Sequence, residues 1–130
     1  MKFLESRQSG ILNGGKGLFT IKKLKALEPI GWYEGDVHSA EDCVDSSYCA
    51  SLNGVHVDPR KQFGYMLRYA NDAYRNKHMK NNAKMEFILR RCGGGVIPWP
   101  FLYARIDIEP GEEILYSYGD KYWRKRKQLF

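Results

Sequence analysis

Long apolar runs are missing from this 130-residue chain. None approaches the roughly 18 residues that a membrane-spanning helix needs, so nothing is expected to cross or sit in a membrane. Cysteine is scarce: Cys43, Cys49 and Cys92 are an odd number with no Cys-x-x-Cys pair. That spacing argues against a disulfide framework or a zinc knuckle and fits a reducing, intracellular setting. The opening Met1-Lys2-Phe3-Leu4-Glu5-Ser6-Arg7 breaks into charge at once and does not read as a signal peptide. Repeats and low-complexity segments are absent. His38, His56 and His78 show no metal-ligand spacing and no Ser-His-Asp set accompanies them, so they receive no role and no metal is expected. A chain of this length makes one domain with its own core.

Positive charge is missing from one stretch. Between Ala26 and Pro59 there are seven acidic residues and no Lys or Arg, although the chain holds 21 Lys and Arg and carries a net charge of +6. An acidic stripe of this kind could receive a basic peptide, or it could be a solvated loop. The basic end, Arg124 to Lys127, reads as a solubilising or targeting tail. Aromatics do not interleave with its charge, so sequence-specific nucleic-acid binding is not expected.

What is present is a succession of short β signals. Gly10, Gly14, Gly15 and Gly17 punctuate the start, and Leu18 to Ile21 then reads as a strand. Pro29 turns the chain into a second strand, Ile30 to Tyr33, and Pro59 stops a third that starts at Gly54. Lys84 to Arg91 and Phe101 to Ile106 are expected to form a long hairpin, its loop holding Gly93-Gly94-Gly95 and two prolines. After a turn at Ile108-Glu109-Pro110-Gly111, Ile114, Tyr116 and Tyr118 alternate onto one face. A short helix is expected near Asp120, with Tyr122 and Trp123 in its first turn.

The order of these signals resembles a known family. Gly15-Lys16-Gly17-Leu18-Phe19 is similar to the G-x-G-[LV]-F opening of a SET domain, and Tyr33-Glu34-Gly35 to its Y-x-G. Arg68-Tyr69-Ala70-Asn71-Asp72-Ala73, with Asn82 downstream, resembles the R-F-x-N-H-S … P-N segment. Ala104 to Gly119 follows A-x-x-D-I-x-P-G-E-E-L-x-Y-D-Y-G almost position by position. Two departures stand out. Asn71-Asp72-Ala73 replaces N-H-S, and no cysteine follows Tyr118 to build a zinc-binding post-SET cluster. The likeness is to minimal members without pre-SET or post-SET modules, as in some large DNA viruses, with Asp120 to Trp123 as the closing aromatic segment.

The resemblance implies a mostly β, β-clip fold of several small curved sheets, few short helices and a knot-like C-terminal crossing. Residues 1–123 would be the SET domain and 124–130 a basic tail. It implies a protein-lysine methyltransferase using S-adenosylmethionine on a basic protein, a histone tail first, adding mainly one or two methyl groups. A histone substrate would place it in the nucleus or on chromatin. A non-histone target, or a silent module that binds a basic partner, are the alternatives, and a homodimer could cover exposed apolar surface. By the same resemblance Tyr118 is the catalytic phenol, and Tyr33, Tyr48 and Tyr116 line the lysine channel. Lys16, Gly17, Leu18, Arg68, Asn71, Asp72 and Trp123 contact the cofactor. Tyr48 could equally be packing, and Trp123 could equally anchor the tail. Phenols suit this chemistry because an amine attacks only when neutral, although free lysine has a pKa of about 10.4. A dry aromatic channel disfavours the ammonium, alignment supplies much of the rate, and phenol oxygens can hold a polarised methyl through C–H···O contacts.

Overall fold

The computed structural model describes residues 3–11, 15–33, 36–38, 50–52, 55–58, 66–74, 76, 78–92 and 94–119. Leu4–Gln8 (β1) and Lys16–Thr20 (β2) pair antiparallel, Leu4 opposite Thr20, and the two-residue β9, Glu113–Ile114, closes the other side of β2. Pro29–Trp32 (β3), Ala83–Cys92 (β7) and Gly95–Ala104 (β8) make a second sheet in the order β3-β8-β7. Asp36–His38 (β4), Ala50–Leu52 (β5) and Val55–Asp58 (β6) make a third, ordered β4-β6-β5. Helix among the described residues amounts to one 3₁₀ turn, Met66–Tyr69, and none is long and apolar enough to cross a membrane. The mostly β expectation with small antiparallel sheets therefore holds.

Leu18, Leu24, Leu102, Ile108 and Ile114 are buried where the sheets and loops converge. Full burial of each such side chain stabilises by roughly 1.5–3 kcal/mol. Leu24 and Ile108 also exchange backbone bonds of 2.8 Å, which fastens the loop after β2 to the one after β8. The next turn is the expected one. Glu112 N–H donates to Glu109 O across Pro110-Gly111, and Gly111 has φ +85°, the geometry of a type II turn.

Three features differ from the sequence expectation. β1 has one apolar side chain at a buried position, Leu4, so alternation could not reveal it. The second hairpin strand starts at Gly95 and runs through Pro98 and Pro100 rather than beginning after them. The reason is the side on which each proline lacks its N–H. Pro100 O accepts from Tyr33 N–H on the β3 side, so its own missing donor also faces away from β7, as does that of Pro98 two residues earlier. The β7–β8 ladder loses nothing. Finally, Leu115 is as buried as Ile114 and Tyr116, so the C-terminal segment is covered on both sides and not on one face alone. The helix expected near Asp120 lies outside the described residues.

Candidate active site

Beyond Ile114 the chain leaves its sheet and lies between the two ends of the 71–83 loop. Tyr116 N–H donates to Asn71 O (2.9 Å), while Leu115 O accepts from the N–H groups of Asn82 and Ala83 (both 2.9 Å). Parallel bridges join Asn71 to Leu115 and Ala83 to Tyr116. Asn82 completes the clasp with its side chain, donating to Glu113 O and accepting from Leu115 N–H, both at 2.9 Å. Asparagine suits the position because one amide offers donor and acceptor together, and burial leaves neither backbone group another way to be satisfied.

Asp72 holds the far end. Its Oδ2 accepts from Tyr118 N–H (2.8 Å), and its Oδ1 from Tyr74 N–H and Asn81 Nδ2 (both 3.0 Å). Asn81 Oδ1 accepts from Ala73 N–H in return (2.8 Å), which pins the ends of the 72–81 loop to each other. The departure from the family pattern at this position thus has a structural use: a carboxylate accepts three donors where a neutral side chain would accept fewer.

The two phenols meet edge to face, ring centroids 5.0 Å apart at 60°. Tyr118 Oη donates to Ala70 O (2.6 Å), so its proton is committed and the chemistry left to that oxygen is acceptance. Tyr116 is buried in the apolar core that also holds Tyr33. The Tyr33 carbonyl takes a bond from Trp99 Nε1 (2.8 Å), which fixes this end of β3 against β8.

The expected cofactor residues divide. Asn71 Nδ2 donates to Lys16 O (3.0 Å), bringing Lys16, Gly17 and Asn71 to one place. Arg68 donates to Tyr69 Oη (2.7 Å) with its guanidinium 4.5 Å from that ring, and Lys16 Nζ lies 5.5 Å from the same ring. Two cations therefore converge on the Tyr69 ring. Leu18 sits in the central strand of its sheet, opposite Ser6 and Ile114, fully buried. Tyr48 and Trp123 lie outside the described residues, as do Glu41, Asp42 and Asp45 of the acidic stripe. Among the described residues no group of three His, Cys, Asp or Glu could hold a metal ion.

Sequence reasoning passed over Glu113, Asn81 and Asn82 as structural anchors. Glu113 lies opposite Phe19 in β9, and its carboxylate reaches across Gly17 to Ser9 Oγ (2.6 Å) and Gly10 N–H (2.9 Å). A first side-chain carbon at Gly17 would overlap that carboxylate, which explains the glycine. The available signal was an acid placed directly against the apolar run that starts at Ile114-Leu115.

Comparison with known proteins gives the chain a family. The histone-lysine N-methyltransferase Set8 of Drosophila pseudoobscura pseudoobscura is 25% identical over 133 residues, covering 91% of this chain and 19% of that protein. The chain thus spans less than a fifth of the relative's length. The SET domain model matches residues 15–119, a span that begins just before β2 and ends just beyond β9, two strands that pair antiparallel. The chain belongs to the SET domain family.

Proposed function

We propose that the chain is an S-adenosylmethionine-dependent protein-lysine N-methyltransferase that acts on a histone tail and adds mainly one or two methyl groups. The observation that carries this reading is the state of Tyr118. Its backbone is held by Asp72 and its hydroxyl proton by Ala70, so a phenol oxygen restricted to acceptance sits at the end of the family-matched segment. Such an oxygen suits an amine N–H or the C–H bonds of a polarised methyl. Tyr116, against its ring, supplies apolar wall, and poor hydration beside it favours the neutral lysine that can attack.

The residues present fit the cofactor. Lys16 and Arg68, both close to the Tyr69 ring, offer two cations for its carboxylate, and Asn71 ties their segments together. When bound, S-adenosylmethionine supplies a methyl group on a sulfonium that departs as a neutral thioether. The protein's own task is alignment, and with Tyr118 held at its backbone and its hydroxyl and Tyr116 packed against its ring, that task needs no strong base. A histone substrate would place the protein on chromatin, and the Set8 relative is what supports that choice of target.

Radiolabel transfer from S-adenosylmethionine to histones tests the reading. Tyr118→Phe should lower transfer roughly 100-fold, the scale for losing one preorganised polar group, with cofactor affinity nearly intact. Full activity in that variant would remove Tyr118 from the chemistry. Tyr116→Phe tests product number. A phenol there can hold a water in the space a further methyl needs, so the variant should shift peptide products upward in mass at similar turnover. Predominant trimethylation by the unaltered protein would return Tyr116 to packing alone.

A further inference from the structure

Glu113 is a buried carboxylate with three donors around it, drawn from two separate parts of the chain. Oε2 accepts from Ser9 Oγ (2.6 Å) and faces Asn71 Nδ2 at 3.5 Å; Oε1 accepts from Gly10 N–H (2.9 Å). The side chain crosses β2 at Gly17, where the lack of a Cβ makes the passage. Ser9 is itself tied on, its N–H donating to Gly15 O (2.8 Å) and its Oγ accepting from Ile11 N–H (3.0 Å). A Cβ at Gly10 would lie 3.6 Å from Met79 Sδ, so the same stretch also packs on the 72–81 loop. One carboxylate therefore fixes where Ser9 and Gly10 stand relative to Asn71.

We propose that Glu113 is a positioning residue that latches the Ser9-Gly10 segment onto Asn71 and so sets the shape of the cofactor-binding wall. This rests on the methyltransferase reading for its functional part. The chemistry demands an anion. Gly10 N–H and Asn71 Nδ2 can only donate, and they face different oxygens of Glu113, so a carboxylate meets both, whereas an amide would turn its NH2 group toward one of them. The latch touches the Lys16–Asn71 side of the site and leaves the Tyr118–Ala70 bond alone. Its loss should therefore appear in cofactor binding and not in the chemical step.

The test is Glu113→Gln, with Ser9→Ala as a milder variant should the first fold poorly. Steady-state kinetics with a histone tail peptide should show the cofactor KM raised at least tenfold in Glu113→Gln and about threefold in Ser9→Ala. The kcat at saturating cofactor and the peptide KM should stay within twofold. Calorimetric titration with S-adenosylhomocysteine should weaken by the same factors. A role limited to stability would instead lower kcat through a reduced active fraction and leave the cofactor KM in place, which overturns the proposal. Amide exchange at Gly10 in the ligand-free protein reads the latch by itself: it should accelerate at least tenfold in Glu113→Gln, and unchanged protection also overturns the proposal. If the unaltered protein binds no cofactor while Gly10 exchange still depends on Glu113, the latch stands and the methyltransferase reading falls.

Discussion

Each strand of the β7–β8 hairpin is ten residues long and finds its partner across a short turn. The stretch from Glu113 to Gly119 contributes two strand residues to a sheet and makes its side-chain clasps with residues 31 to 104 positions away. In the hairpin the backbone repeats one bond pattern, and the outer side chains are dispensable to it: Leu89 is 69% exposed and Val96 54%. In the C-terminal segment the ladder has almost no length, and single side chains replace it. Asn82, Asp72 and Glu113 each satisfy two or more groups that no neighbouring strand could reach. A long ladder tolerates the loss of any one side chain. A short segment held by three polar side chains does not, and in exchange Tyr118 is held at its backbone and its hydroxyl.

The strongest way to break that contrast is Asn82→Ala. The substitution strands the Glu113 carbonyl and the Leu115 N–H in a buried place, both without room to reach solvent. At about 1–3 kcal/mol for each unsatisfied group, the expected loss is about 3 kcal/mol by denaturant unfolding. Leu89→Thr in the hairpin is the control and should stay within about 0.5 kcal/mol, as exposed substitutions do. Equal losses at the two sites would show that the clasp is no more critical than the ladder.

The sequence revealed these two regions unequally, for physical reasons. The hairpin was legible because its apolar and β-branched residues recur on both strands, and only the prolines hid the true start of β8. The alternation of Tyr116 with Tyr118 was also readable, and the rings do meet. What could not be read was anything carried by a lone polar side chain. Asn81 and Asn82 look like turn residues, yet one pins a loop and the other clasps a crossing. Ser9 in a glycine-rich start looks like a linker residue, though its hydroxyl bonds a carboxylate 104 positions along. Periodicity reports burial of apolar faces; it does not report which amide meets which carbonyl.

Asp72→Asn is expected to have a smaller effect than Asn82→Ala, because each of its three donors lies at a partly buried place where water can substitute in part. An amide offers one acceptor oxygen where the carboxylate offers two, so a donor is left facing a donor. The expected loss is about 1–2 kcal/mol. The reciprocal exchange sharpens the comparison. Asp72→Asn combined with Asn81→Asp restores an amide-to-carboxylate bond across the loop and a carboxylate for Ala73 N–H. The double variant should recover at least half of the loss in the unfolding midpoint. Additive losses would mean that Asp72 acts through Tyr118 alone, and the loop closure by Asn81 contributes nothing.

The smallest effect belongs to the hairpin and is one of pH. Glu86 accepts from Tyr103 Oη (3.0 Å) and pairs with Lys84 (3.1 Å), one strand position pair away on the same face of β7. The bond from Lys84, then that from Tyr103, hold the Glu86 carboxyl below its ordinary value. Lys84 is raised, chiefly by its bond to Glu86, and Tyr103 is raised by burial and then by the same carboxylate. A lowered carboxyl contributes stability that is present above its unfolded pKa of about 4.3 and lost as pH falls through the folded value. A raised ammonium or phenol contributes below about pH 10 and loses that contribution as pH rises through the folded value. The triad's contribution should therefore be flat between about pH 5 and 9 and fade at both ends. All three groups face solvent, so the signal is small and screened by salt. Amide exchange across β7–β8, taken from pH 3.5 to 6 at low and high salt, is the suitable measurement. Protection in the unaltered protein should fall on acidification more than in Glu86→Gln, and high salt should close the gap. An identical acid slope in both proteins would mean that the hairpin's stability lies in its ladder alone.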